Sequence, residues 1–289
     1  MNIDQNTALY GVIGNPVRHS LGPIMHNAAF SAGVINAVYL AFEVEDIKTS
    51  LQGMAALGIK GLSVTIPFKS AVIPFLDEMD PLAARIGAVN TIVNREGRLK
   101  GYNTDATGAV KALEEKMVLK GLHSMIIGAG GAARAIGFSL KEKGVRVSIA
   151  NRSPQRGASL ARDLDCPYLP LDRIGVKKVD LLVQTTPVGM FPHEGESPVS
   201  EEMFHKDLVA MDIIYNPRET TFLKMARARG AATIDGLGMF VHQGAEQFLL
   251  WTGVDPPFEI MYRAVEERLK EPKSVFTARF AQDAKIAKM

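Results

Sequence analysis

The sequence predicts an α/β protein of two domains, the first of them discontinuous. Apolar strand-like runs alternate with helix-like segments, which implies largely parallel sheets covered by helices. A second series of the same kind begins near residue 107, and a helix-like stretch at 239–251 then leads back toward the first. The chain has 289 residues, enough for two sizeable cores. We expect residues 1–106 plus 239–289 to form one domain and residues 107–238 the other.

In the first series, 9–13, 38–44, 61–66 and 88–93 read as strands, and 23–32 and 46–57 as helices. Asp46 is a plausible N-cap and Gly58 a plausible residue just past a helix end. Asn94-Arg95-Glu96-Gly97 reads as a hairpin turn that returns through 98–102. In the second series, 107–117 reads as a connecting helix. Strands are expected at 124–127, 145–150, 181–184 and 208–214, and helices at 132–143 and 221–229, the latter closed by Gly230. C-terminal helices should complete the first domain. Residues 271–289 carry Lys273, Arg279, Lys285 and Lys288 among small residues and read as a peripheral tail.

Composition narrows the function classes. The chain is 47% hydrophobic and 22% charged, as expected of a soluble globular protein. A net charge of +2 implies no nucleic-acid partner. The single cysteine, Cys166, rules out an internal disulfide framework and suits a reducing compartment. The polar N-terminus is unlike a signal or transit peptide, and no apolar run approaches 18 residues. The expectation is a cytoplasmic protein without a membrane partner. The six histidines have no ligand spacing, so no metal is expected. His19 lies in a polar loop and reads as a brace of that loop.

Gly128-x-Gly130-x-x-Ala133 follows an apolar strand and opens a helix. In that context the pattern is a Rossmann-type dinucleotide fingerprint. The first glycine permits the tight turn, the second lets the backbone approach a pyrophosphate, and Ala133 allows close helix–strand packing. The helix N-terminus offers free N–H groups and a positive dipole end to the phosphates. The end of the next strand selects the cofactor. NAD sites carry Asp or Glu there to accept from the ribose 2′-OH, whereas a 2′-phosphate needs arginine. Here Asn151, Arg152, Ser153 and Arg156 follow the strand, and no acid occurs from Lys143 to Arg162 but many cations do. The expected cofactor is NADP. Thr185-Thr186-Pro187-Val188-Gly189-Met190 follows another strand and should lie at the same crevice.

The first domain gathers polar residues at strand ends: Asn15 to Ser20, Ser63 to Lys69, Val89-Asn90-Thr91 and Gly101 to Asp105. Loops converging on one edge would form a small pocket rich in hydrogen-bonding groups, suited to a polyhydroxylated substrate. Lys69 and Asp105 are the acid/base pair among them. Ketone reduction needs a proton on the new oxygen, and a cationic lysine can supply it. Taken singly, Lys69 reads as a surface lysine and Asp105 as an N-cap.

As a set, these motifs resemble the shikimate dehydrogenase family over about residues 8–270. They are Gly14-Asn15-Pro16-Val17-x-His19-Ser20, Ser63-Val64-Thr65-Ile66-Pro67-Phe68-Lys69, Gly87-Ala88-Val89-Asn90-Thr91, Gly101-x-Asn103-Thr104-Asp105, Gly128-Ala129-Gly130-Gly131-Ala132, Asn151-Arg152-Ser153, Asp212-x-x-Tyr215-x-Pro217 and Gly238-Met239-x-x-x-Gln243. The resemblance implies NADP-dependent, reversible reduction of 3-dehydroshikimate to shikimate, with Lys69 and Asp105 catalytic. It implies Ser20, Thr65, Lys69, Asn90, Asp105, Tyr215 and Gln243 around the small-molecule substrate. Around the cofactor it implies Gly128, Ala129, Gly130, Gly131, Ala132, Asn151, Arg152, Ser153, Arg156, Thr185, Ile213, Gly236, Gly238 and Met239. A monomer and a homodimer are equally compatible with it.

Three positions depart from the family pattern. Ser20-Leu21-Gly22-Pro23 stands where Ser-x-Ser-Pro is usual, so one hydroxyl of the carboxylate-binding loop is gone. A water or the helix N-terminus can take its place. Glycine at this position also resembles relatives that use quinate, so quinate activity is an alternative expectation. Ser63 stands where many members have Asn. Gln184 stands where Asn is common, which puts one nicotinamide-side contact in question.

Overall fold

The computed structural model describes residues 3–174, 179–191 and 194–271; the tail expected at 271–289 lies almost wholly outside the described residues. The first sheet is built from β1 (Ala8–Gly14), β2 (Ala37–Glu43), β3 (Gly61–Val64), β4 (Glu78–Met79), β5 (Thr91–Arg95) and β6 (Arg98–Tyr102), in the order β2-β1-β3-β5-β6-β4. It is mixed rather than largely parallel. β1 runs parallel to β2 and β3, but β5 is antiparallel to both β3 and β6. The β5–β6 pairing follows from the hairpin at Glu96-Gly97, whereas the β3–β5 pairing joins segments distant in the chain, Gly61–Val64 and Thr91–Arg95. Glu96 and Gly97 both take positive φ, 54° and 87°, the mirror-image turn that matches strand twist.

Helices α1 (Gly22–Ala32), α2 (Ile47–Ala56) and α3 (Pro81–Ile86) flank this sheet. Asp46 caps α2 as expected, accepting from Lys48 N and Thr49 N, and Gly58 follows it with φ +67°. The sequence reading missed α3. Its signals were Asp80 as cap, with Pro81 at the first helical position.

The chain passes through α4 (Thr104–Glu114) to the second sheet, made of β7 (His123–Ile127), β8 (Arg146–Asn151), β9 (Tyr168–Pro170), β10 (Leu181–Gln184), β11 (Val209–Asp212) and β12 (Ala232–Ile234). This sheet is parallel throughout, in the order β12-β11-β10-β7-β8-β9. Helices α5 (Gly131–Glu142), α6 (Pro154–Asp163) and α7 (Thr221–Ala228) belong to it. The strand order reverses at β7, which leaves a crevice at the carboxyl ends of β7 and its neighbours.

The chain then returns through α8 (Gly236–Thr252) and α9 (Phe258–Lys270). Val241, Ala245 and Phe248 of α8, with Met261 and Val265 of α9, share one buried cluster with Tyr10, Phe30 and Tyr39. α8 also crosses α4 closely. A Cβ on Gly108 would lie 2.7 Å from Met239 O, so only glycine permits this approach. Among the described residues no helix is long and apolar enough to cross a membrane.

Two helix starts differ from expectation, and both bear on the site. α4 begins at Thr104, three residues early, because the Asn103 side chain caps it by accepting from Ala106 N. Asp105 is therefore a first-turn helical residue and neither a loop residue nor the cap. α8 begins at Gly236 rather than Met239, because Asp235 caps it by accepting from Leu237 N.

Candidate active site

Lys69 follows a tight turn in which Phe68 N donates to Thr65 O, and the Lys69 carbonyl accepts from Val89 N at 2.7 Å. These bonds hold the root of the side chain. Its ammonium meets Asp105 Oδ2 at 2.6 Å, with side-chain exposures of 25% and 13%. Asp105 sits in the first turn of α4, where the helix dipole favours a carboxylate.

Beside the pair, Asn90 is buried and its amide is fixed. Oδ1 accepts from Thr104 N at 2.7 Å and Thr91 Oγ1 at 2.9 Å, so Nδ2 faces Thr104 Oγ1 and Gln243 Oε1. The sequence reading missed the support beneath. Gln247 lies one helical turn beyond Gln243 and is buried. Its Nε2 donates to Thr91 Oγ1 (2.9 Å) and Asn90 O (3.3 Å), and its Oε1 accepts from Ser63 Oγ at 2.8 Å. Ser63 in turn accepts from the Tyr39 hydroxyl at 2.6 Å. The available signal was a second glutamine at i+4 on an otherwise apolar helix face.

These residues line a cavity of about 290 Å³ between the two sheets. Ser20, Thr65, Lys69, Asn90, Asp105, Tyr215 and Gln243 all border it. Of the residues expected around the cofactor, Ala132, Ile213, Gly236 and Met239 border it as well. The others lie along the carboxyl edge of the second sheet or at the start of α8. Gly128 has φ +118°, and a Cβ there would strike Thr185 Oγ1 at 2.3 Å. The turn therefore needs glycine for both conformation and space. A Cβ on Gly130 or Gly131 would meet nothing within 4 Å. That open ground lies before the N-terminus of α5, where a dinucleotide pyrophosphate fits. Arg152 and Arg156 are exposed at the end of β8 and in the first turn of α6, and no acid occupies that turn. Asn151 and Ser153 brace the corner, with Asn151 Nδ2 donating to Ser153 O at 2.9 Å.

Gln184 is buried and turned inward. It donates to the carbonyls of Thr186 and Val188 and accepts from Thr186, so it braces the 185–189 loop from beneath.

Asp212, at the end of β11, holds the segment that carries Ile213 and Tyr215. It accepts from Ile214 N at 3.0 Å and Thr220 Oγ1 at 2.7 Å. Burial pushes its carboxyl up to about 7, against the opposing pull of those two bonds. A carboxyl raised on folding contributes its stability fully below the unfolded value of 3.8 and loses it as pH climbs through about 7. Relative to Asp212→Asn, the wild type should therefore lose a few kcal/mol between about pH 4 and 8, at about 1.4 kcal/mol per pK unit. Urea midpoints of both proteins across that range provide the measurement, and a pH-independent difference would refute it.

Known proteins resemble this chain along most of its length. The family model described as "Shikimate dehydrogenase substrate binding domain" matches residues 12–92. "Shikimate / quinate 5-dehydrogenase" matches 110–234, and "Shikimate 5'-dehydrogenase C-terminal domain" matches 236–266. Shikimate dehydrogenase (NADP(+)) of Moorella thermoacetica is 46% identical, over 93% of this chain and 96% of its own. A crystal structure of shikimate dehydrogenase in complex with NADP+ superposes with a TM-score of 0.91 at 43% identity, covering 93% of this chain and 98% of the other. Quinate dehydrogenase from Corynebacterium glutamicum in complex with NAD has a TM-score of 0.85 at 32% identity, covering 90% and 99%. Three consecutive domain matches and relatives alike along nearly their whole length leave one assignment: the chain belongs to the shikimate dehydrogenase family.

Proposed function

We propose that the chain catalyses the reversible, NADP-dependent reduction of 3-dehydroshikimate to shikimate, with Lys69 and Asp105 as the catalytic pair. The observation that carries this reading is the Lys69–Asp105 contact at 2.6 Å, inside a cavity bordered by residues of both domains. NADPH, bound along the turn before α5, supplies the hydride. Lys69 hydrogen-bonds the carbonyl oxygen and delivers a proton to it as negative charge develops there. Asp105 holds the ammonium in place. In the oxidative direction the same lysine takes up the hydroxyl proton.

Asn90 Nδ2 exchanges its long contact to Gln243 Oε1, 3.4 Å, for a substrate hydroxyl, and Gln243, Thr65 and Tyr215 complete that wall. Ser20, at the N-terminal end of α1, takes the carboxylate. Gly128 to Ala132 take the pyrophosphate, Asn151 to Ser153 and Arg156 the adenosine 2′-phosphate, and Thr185, Ile213, Gly236, Gly238 and Met239 the nicotinamide half. The division at 106/107 and 238/239 belongs to this reading, as does action in the cytoplasm, where the single Cys166 stays reduced.

Curated relatives 43–47% identical carry the name shikimate dehydrogenase (NADP(+)), so quinate is not favoured as the substrate. Initial rates of oxidation of shikimate and quinate, each with NADP and with NAD, test the proposal. Shikimate with NADP should give the highest kcat/KM. Folded protein that does not oxidise shikimate with NADP would overturn it.

A further inference from the structure

A second cavity, of about 460 Å³, lies at the C-terminal end of α8, and among the described residues it shares no bordering residue with the catalytic one. Its wall is apolar, built from Val93 of β5 with Leu249 and Trp251 of α8. The sheet beneath sets that wall. Tyr10, Gly61 and Val93 are paired side by side across β1, β3 and β5. Gly61 has no side chain, and the Trp251 indole lies over it, so close that a Cβ there would fall 2.2 Å from Nε1. Nε1 donates to Ile92 O at 3.1 Å, which fixes the ring. Tyr10 lies 5.4 Å from the indole between ring centroids.

The charged groups of this cavity are of one sign. Lys60 and Arg95 border it, and no acid does. They share one end of the sheet, because Asn94 N donates to Lys60 O at 2.9 Å and Arg95 is the next residue. Among the described residues neither side chain has an ion-pair partner. Tyr10 is 6% exposed, and its hydroxyl has no hydrogen-bond partner among the described residues. That oxygen keeps open access, unlike the sealed and unpartnered His26 Nδ1, Ser124 Oγ and His205 Nε2. Of the two cavities, Tyr10 borders only this one. The phenol therefore opens on it with a proton to donate, and burial holds that proton by raising the Tyr10 pKa.

We propose that this cavity is a second binding site, for a small carboxylate that carries a flat ring. The carboxylate meets Lys60, Arg95 and the Tyr10 hydroxyl, and the ring lies against Val93, Leu249 and Trp251. Arginine takes a carboxylate through paired hydrogen bonds, lysine adds a point charge and the phenol a further donor. The end of α8 presents its carbonyls and the negative end of its dipole, which keeps the carboxylate toward the sheet. The apolar wall rewards a ring, a gain that a bare inorganic anion cannot make. The site does not depend on the functional reading, since it shares no residue with the catalytic cavity.

Trp251 is the only tryptophan of the chain, so its fluorescence reports on the site. Titration of the wild type with benzoate should give a saturable change with Kd of about 1 mM or tighter. Lys60→Met with Arg95→Met should weaken binding by at least about tenfold, the usual worth of one hydrogen bond to a charged group, and Tyr10→Phe should weaken it less. Both cations are exposed, so these substitutions should leave the fold and the oxidation of shikimate unchanged. Benzamide keeps the ring without the charge, and acetate the charge without the ring; each should bind at least about tenfold more weakly. Ser20→Ala and saturating shikimate should leave benzoate binding unchanged, which separates this site from the catalytic cavity. No saturable response up to about 10 mM benzoate, in fluorescence and calorimetry alike, overturns the proposal. So does equal binding of benzamide or acetate, an unchanged Kd in the double variant, or competition with shikimate.

Discussion

Replacing Lys69 by alanine should lower kcat by roughly 10²–10⁴-fold, the usual worth of a positioned general acid, while shifting KM for shikimate by less than about tenfold. The split follows from where the charge is needed. On the proposed reading the ground-state ammonium makes one hydrogen bond to the carbonyl oxygen, while Asn90 and Gln243 hold the substrate hydroxyls. In the transition state it would face an oxygen gaining negative charge in a part-buried cavity, where a preorganised cation stabilises far more. Asp105→Asn should retain a hydrogen-bonding partner for Lys69 yet remove the charge that holds it, giving a smaller loss of kcat. Because the two groups touch at 2.6 Å, the double variant should lose much less than the product of the single losses. Steady-state kinetics with saturating NADP measure all three. Near-normal turnover of Lys69→Ala, or multiplicative losses in the double variant, would refute the pairing.

What the sequence revealed divides along the range of the interactions. The strand–glycine–helix unit at 123–142 and the hairpin at Glu96-Gly97 depend on neighbours a few residues apart, and both read directly. The polar loops at strand ends were visible for the same reason. All seven residues expected around the substrate border one cavity: Ser20, Thr65, Lys69, Asn90 and Asp105 lie near strand ends of the first sheet, Tyr215 follows β11 of the second, and Gln243 comes from α8. The illegible part is what sets orientation. Gln247 reaches Ser63 across 184 positions and Thr91 across 156, and nothing local to either residue marks the link. The antiparallel pairing of β3 with β5 is likewise a long-range choice that alternating strand and helix patterns do not encode. The early starts of α4 and α8 were legible in principle. Asn103 and Asp235 are good capping residues, but Gly236 and Gly238 in the first turn of α8 masked the helix by their low propensity. Gln184, standing where Asn is common, put a nicotinamide-side contact in question, and its hydrogen bonds show that it braces the 185–189 loop instead.

Removing Arg152 and Arg156 together, as Arg152→Gln with Arg156→Gln, should lower the preference for NADP over NAD by roughly 100-fold in kcat/KM. The two side chains stand exposed at the corner between β8 and α6, with no acid in the first turn of the helix to compete for them. Arginine meets phosphate through planar, two-pronged hydrogen bonding. At an exposed site each contact should be worth about the low end of a hydrogen bond to a charged group, near 1.4 kcal/mol or tenfold. NAD lacks the phosphate, so its kcat/KM should stay nearly constant while that of NADP falls, and kcat at saturating NADP should hold because the nicotinamide end is untouched. Two further results separate this account from general damage to the second domain. The wild-type preference should shrink as salt rises, because exposed charges are screened, whereas the double variant should be insensitive to salt. Adding Asn151→Asp should then raise kcat/KM for NAD, since a carboxylate at the end of β8 can accept from the ribose 2′-OH and repels a phosphate. An undiminished NADP preference in the double variant would move cofactor selection away from the two arginines, leaving the Asn151 and Ser153 side chains and nearby backbone groups as candidates.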